Sequence, residues 1–173
     1  MKIRNMTRCA LMAAVMAVCA WIAIPVGSLA VSLQIFGLFL ALGLLGGRLG
    51  TATVAVYLGL GALGLPVFTG FQGGFSALTG PTAGYLWGFL LASVLWWLCR
   101  NHLPRPLIMT LGLLICYLCG MVWFAWLTGT GFWVALWICV IPYLLFDIVK
   151  LILADFITSK LKKSGIWRDN SWN

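Results

Sequence analysis

The 173-residue chain has no glutamate, three aspartates and one histidine, and only 8% of its residues are charged. Soluble globular proteins carry about 25% charged residues, so this chain cannot cover a water-exposed surface. Disorder is excluded by the opposite property, a hydrophobic content of 63%, because disordered chains are poor in apolar residues. The scarcity of acid leaves eleven Lys and Arg with a formal net charge of +8. A nucleic-acid partner would need those cations gathered on one accessible face. They stand singly between long apolar runs, and no nucleic acid is expected. His102 lies among Arg100, Asn101 and Arg105, away from any candidate nucleophile, so Ser-His proteolysis and histidine metal sites are not expected. No lysine follows a glycine, so the Gly-Lys-Ser/Thr of a phosphate-cradling loop is missing. The sequence points to no metal, no cofactor and no enzymatic turnover.

What is present is a row of apolar runs, at about 9–27, 30–47, 49–66, 82–99, 106–128 and 132–159. At about 20 residues per transmembrane helix, six spans use about 120 residues and leave roughly 50 for loops and tails. The expected fold class is an all-α integral membrane protein of six transmembrane helices, a single polytopic domain over 1–173. Charges mark alternate gaps: Lys2, Arg4 and Arg8 before the first run, Arg48 between the second and third, Arg100 and Arg105 between the fourth and fifth, and Lys160, Lys162, Lys163 and Arg168 after the last. Ten of the eleven cations thus fall on one side, which the positive-inside rule assigns to the cytoplasm, with both termini inside. Met1 to Arg8, the first run and Ser28-Leu29-Ala30 have the outline of a signal peptide. The run is about 18 residues, longer than a signal core, and its removal would leave an odd number of spans. Cys9, Cys19, Cys99, Cys116, Cys119 and Cys139 lie in or beside apolar runs and read as small apolar residues. The Cys116-x-x-Cys119 pair has no second ligand pair and lipid-like neighbours, Tyr117 among them.

In the first run Cys9, Ala10, Ala13, Ala14, Ala17 and Ala20 fall within about 140° of helical arc. Small residues at this spacing let another helix approach, either within the bundle or on a partner protein. Gly43, Gly46, Gly47 and Gly50 flank Arg48 and predict a tight inner turn.

Ionisable residues inside a membrane mark function by default, and Asp147 and Lys150 qualify. Pro142 predicts a break, with a final helix from about 142 to 160 and a separate outer segment at 132–141. Asp147 and Lys150 then lie about 8 and 12 Å below the outer start of that helix. Tyr143, Asp147, Lys150 and Ala154 form a stripe about 60° wide. The pair also reads as an ion pair that neutralises itself, although buried ion pairs seldom add net stability. Asp155 lies about 120° off the stripe and reads as a boundary carboxylate close to Lys160. The outer connection 66–81 has no charge. Phe68, Phe71 and Phe75 offer apolar cover, and Gly73 and Gly74 allow close approach of backbone amides. Gly80-Pro81 reads as a helix start with Pro81 at its first position. A loop this long is usually a lid, and Gln34 lies at similar depth. With a single acid at the outer site, two-carboxylate catalysis is not expected. What remains is binding of a small, partly apolar ligand whose polar groups suit one carboxylate, one ammonium and several amides.

Several of these residues fall into a familiar pattern: Leu33-Gln34 with Phe36-Gly37, the Gly46-Gly47-Arg48-Leu49-Gly50 turn, Tyr57, and Gly61-Ala62-Leu63-Gly64-Leu65-Pro66-Val67-Phe68. It continues with Gly73-Gly74, Gly80-Pro81-Thr82-Ala83-Gly84-Tyr85-Leu86, Pro142, and Asp147-x-x-Lys150-Leu151. Over nearly its whole length the chain resembles the BioY family, the biotin-specific substrate-binding (S) components of energy-coupling-factor transporters. It departs from the pattern at Ala83, where glycine is common, and at Leu145-Phe146 before Asp147. The resemblance implies a six-helix subunit of a prokaryotic plasma membrane that captures biotin from outside. Such a subunit works with a membrane coupling (T) subunit and two cytoplasmic ATPases, docked here through Ala10, Ala13, Ala14 and Ala17. It further implies that Asp147 and Lys150 read the polar ring of biotin, while Phe68, Phe71, Phe75 and Tyr85 line its apolar part and the lid. Gln34, Gln72, Ser76 and Thr82 are candidates for the remaining hydrogen bonds, and Gly73, Gly74 and Tyr143 complete the expected site. The orientation of biotin is left open. An S component for another vitamin, such as thiamine or riboflavin, and a non-binding membrane scaffold are the alternatives.

Overall fold

The computed structural model describes residues 3–26 and 29–164, so Lys2, Ser28 and Arg168 lie outside the described residues. The chain forms α1 (Ile3–Trp21), a hairpin of β1 (Ala23–Val26) and β2 (Leu29–Ser32), α2 (Gln34–Leu45) and α3 (Gly47–Ala62), followed by α4 (Ala83–Cys99), α5 (Arg105–Thr128), α6 (Phe132–Cys139) and α7 (Ile141–Lys163).

The first two apolar runs are divided differently from the expectation. The helix begins at Ile3, includes Arg4 and Arg8, and ends at Trp21. The rest of the first run turns into the antiparallel hairpin, with Ala23 opposite Ser32 and Pro25 opposite Ala30. Pro25 has no N–H to continue a helical ladder, whereas the edge of a two-stranded ribbon accepts it. The inner turn joins α2 to α3 with no intervening loop. Gly46 takes φ +77 there, and a Cβ at this position would collide with the Arg100 guanidinium. Pro81 is not the first helical residue: α4 starts at Ala83, after a turn closed by Ala83 N–H to the Gly80 carbonyl at 3.0 Å. The last run breaks at Val140 rather than at Pro142, which is the second residue of α7, and α6 and α7 meet at 45°.

Burial on α7 is inverted with respect to a water-soluble helix. It buries Tyr143, Asp147, Lys150, Ala154 and Thr158, spaced by four, three, four and four residues, and exposes Leu144, Leu145, Ile148, Val149, Ile152 and Leu153. Leu114, Leu118, Val122 and Trp126 of α5 and Trp133 and Trp137 of α6 are exposed as well. Apolar surface on this scale is stable in lipid and a liability in water, and the protein is a membrane protein. Helices α1 and α5 are each long and apolar enough to cross a bilayer, and α6 and α7 satisfy the same test together as a bent pair. Helices α2 and α4, of 12 and 17 residues, reach only about 18 and 26 Å at 1.5 Å per residue.

The centre is apolar. Met16, Leu38, Phe39, Leu42, Val54, Tyr57, Phe89, Ile108 and Met109 are almost fully buried. The six cysteines are unpaired, and Cys116 packs its backbone against Gly88, where a Cβ would lie 2.8 Å from the Cys116 Cα. Cations gather at one end of the bundle. Arg48 lies 5.5 Å from the Trp97 ring centre, and Arg105 faces Asp155 at 3.7 Å and donates to Ser159 Oγ at 2.9 Å. Asp155 therefore pairs with Arg105 on α5 and not with Lys160, which sits over the Phe156 ring at 4.8 Å.

Candidate ligand-binding site

At the opposite end lies a cavity of about 360 Å³. Its walls come from five places: Ala30 to Ser32 of the hairpin, Gln34 and Ile35 of α2, the loop 66–81, Tyr85, Leu86 and Phe89 of α4, and Tyr117 of α5 facing α7. The floor is the polar stripe of α7. Asp147 is 2% exposed and Lys150 6%. Lys150 Nζ donates to Asp147 Oδ1 at 2.6 Å, and the Tyr117 hydroxyl donates to Oδ2 at 2.6 Å. Both carboxylate oxygens are thus held by the protein, each with acceptor capacity left, and Lys150 keeps further N–H donors. A buried ion pair is tolerable only when hydrogen bonds complete it, and Tyr117 supplies that bond. Tyr85 borders the cavity while its hydroxyl donates to the Cys139 carbonyl, tying α4 to the end of α6.

The upper wall is organised around Gln34. Its Nε2 donates to the Tyr57 hydroxyl at 2.7 Å, and its Oε1 accepts from Thr69 Oγ1 at 2.9 Å. Tyr57 in turn donates to the Val67 carbonyl at 2.8 Å, and Thr69 Oγ1 lies 3.1 Å from Ser32 Oγ. The loop is therefore held to the hairpin, α2 and α3 through the side chains of Ser32, Gln34 and Tyr57. It is pinned further by Trp21 Nε1 to the Pro66 carbonyl at 2.7 Å and by Gly74 N–H to the Gly61 carbonyl at 2.7 Å. Phe68 is buried, edge-on to Tyr57 with ring centres 5.5 Å apart, and it fits because Gly61 has no side chain beneath it. Ala30, Gly70, Gln72 and Pro81 line the cavity and are exposed, so they form its mouth.

Of the residues singled out from sequence, Asp147, Lys150, Tyr143, Tyr85, Gln34, Phe68, Gln72 and Thr82 border this cavity. Phe71, Gly73, Gly74, Phe75 and Ser76 do not. Gly70 (φ +72) and Phe71 (φ +58) reverse the chain at the loop tip. Phe71 is thereby turned outward to stack on Trp21, with ring centres 5.3 Å apart. Phe75 is 74% exposed on a 3-10 turn, Phe75–Leu78, and Ser76 on that turn is exposed too. Gly73 is pressed against the Leu65 carbonyl and Gly74 bonds α3, so both serve the loop's anchorage. Tyr117, Thr69, Ser32 and Phe89 went unread. The signal for Tyr117 was a hydroxyl in an apolar run, since a buried Tyr usually finds a partner. The small-residue face of α1 is divided: Cys9, Ala13, Ala17 and Ala20 are buried within the bundle, and Ala10 and Ala14 are exposed.

Comparison with known proteins gives one answer. The BioY family sequence profile matches residues 1–166. The biotin transporter BioY of Thermotoga maritima is 34% identical, the alignment covering 95% of this chain and 99% of that protein. A probable biotin transporter BioY of Pyrococcus horikoshii is 38% identical over 94% of this chain and 98% of its own. Among solved structures, the S-component for biotin from an ECF-type ABC transporter superposes with a TM-score of 0.86 at 27% identity, covering 94% of this chain and 92% of that one. With a family match over residues 1–166, relatives 34% and 38% identical along nearly their whole length, and a shared fold, the chain belongs to the BioY family.

Proposed function

We propose that this protein is the biotin-binding S component of an energy-coupling-factor importer, a single polytopic domain in a prokaryotic plasma membrane. With α6 and α7 taken as one bent span, the chain has six spans. The gathering of its described cations other than Lys150 at one end supports a cytoplasmic location for both termini and an outward-facing cavity. The chain lacks a phosphate-cradling loop, so energy must come from elsewhere, in this reading from a T subunit and two cytoplasmic ATPases. The observation that carries the proposal is the floor of the cavity. There the Lys150 ammonium and the Tyr117 phenol each hydrogen-bond to the buried Asp147 carboxylate beneath apolar and aromatic walls. A fused ring bearing a neutral ureido group matches that combination of donors and acceptors. Calorimetry of the detergent-purified protein with biotin is the test. Saturable heat at micromolar or lower concentration is expected, and the absence of both heat and co-purified vitamin would sink the proposal. Unlabelled thiamine and riboflavin in the same experiment should not compete.

A further inference from the structure

Trp21 is the last residue of α1 and is not among the residues lining the cavity. Its indole nevertheless touches the loop 66–81 twice. The Nε1–H donates to the Pro66 carbonyl at 2.7 Å, and the ring stacks on Phe71, with centres 5.3 Å apart and planes inclined by 22°. Pro66 and Phe71 bracket Phe68, Thr69 and Gly70, three consecutive residues of the cavity wall. One side chain thus holds both ends of that wall segment from outside the cavity. Beyond the bracket stand two glycines of positive φ, Gly64 (+98) and Gly74 (+88), and a Cβ at Gly64 would meet nothing within 4 Å. Residues of this kind absorb the backbone rotations of a hinge.

The far end of the loop is fastened to other helices. Trp123 Nε1 donates to the Gly80 carbonyl at 2.9 Å and Trp87 Nε1 to the Leu78 carbonyl at 3.4 Å, and Ala77 and Leu78 are buried. These ties end on α5 and α4, which pack backbone to backbone where Gly84 and Gly88 meet Gly120 and Cys116. The segment free to lift is therefore 65–73. Inside, it is held through Thr69 by Gln34 and Ser32. Those three groups line the cavity and are open to a ligand, whereas the Trp21 contacts lie outside it.

We infer that Trp21 is a positioning residue for ligand retention: it seats the wall segment 65–73 and so sets the rate at which biotin leaves. The inference rests on the biotin-binding function proposed above. A residue that touches no ligand acts on the balance between open and closed loop. Loosening its hold speeds release and does not slow entry, whereas damage to the site itself slows productive association. Tritiated biotin bound to the purified full chain and chased with unlabelled biotin reads the release rate. Trp21→Ala is expected to release the label about 10-fold faster, the size of one hydrogen bond and one aromatic contact at a half-exposed position. Its association rate should be no lower than that of the wild type. Trp21→Phe keeps the stack and loses the donor, and Phe71→Ala keeps the donor and loses the stack, so each should release at an intermediate rate. Release from Trp21→Ala at the wild-type rate overturns the inference, as does an affinity lost through slower association. Should Trp21→Ala fail to fold, Trp21→Phe and Phe71→Ala decide by the same two rates. Failure of the wild type to bind tritiated biotin is a separate result, which overturns the biotin-binding function and the inference with it.

Discussion

Asp147 and Lys150 present two consequences that can be separated by mutation. Each is buried, and each is the other's closest charged partner at 2.6 Å. Removing one leaves the other uncompensated, which costs about 3–5 kcal/mol. Asp147→Asn and Lys150→Met are each expected to weaken biotin binding at least about 100-fold, or about 2.7 kcal/mol. They should also lower the melting temperature in detergent. The double variant Asp147→Leu/Lys150→Leu is expected to recover most of the thermal stability, because apolar side chains can replace a buried pair at little cost, and still to bind no biotin. Titration calorimetry and thermal unfolding read the two effects. Unchanged affinity in both single variants would move the site elsewhere. The pair was legible in the sequence because charges so rarely enter an apolar run. Tyr117 was not, since its neighbours on α5 are apolar and only the packing of α5 against α7 brings its hydroxyl to Asp147.

The loop 66–81 works through its anchors. Phe68 enters the cavity wall over a helix surface that Gly61 leaves flat, and a Cβ at Gly61 would collide with the Phe68 ring. Gly61→Ala is expected to displace that ring, at about 1–3 kcal/mol of overpacking, and to weaken biotin binding about 10-fold. Gly59→Ala, in the same helix with nothing near the new methyl, should leave affinity unchanged and serves as the control. Equal affinities for the two variants would show that the seat of Phe68 is irrelevant to binding. The loop's length and uncharged composition predicted a lid, and Phe68 of that loop lines the cavity wall. The outward turn of Phe71 and Phe75 was not legible, because it depends on the positive φ of Gly70 and Phe71 and on which backbone groups α3 accepts.

For the whole molecule, the exposed part of the α1 face is what a partner can reach. Ala14 is exposed and Ala13 is 3% exposed. Ala14→Leu is therefore expected to leave biotin binding intact while abolishing recovery of the coupling and ATPase subunits in a pull-down. Ala13→Leu should instead destabilise the isolated subunit by about 1–3 kcal/mol through overpacking. Full partner recovery with Ala14→Leu would free that face of any docking role. By itself the sequence determined the solvent and the helical class, because a chain with 8% charged residues and 63% hydrophobic ones has only lipid in which to expose its side chains. It also determined the family and the two charges of the floor, since motif and charge placement are properties of single segments. Only the tertiary structure decided where α1 yields to a hairpin, which alanines are spent inside the bundle, and how Tyr117, Gln34 and Thr69 join the cavity. Those features depend on contacts between segments as far apart in the chain as Tyr117 and Asp147 or Gln34 and Thr69, and local periodicity carries no record of such pairings.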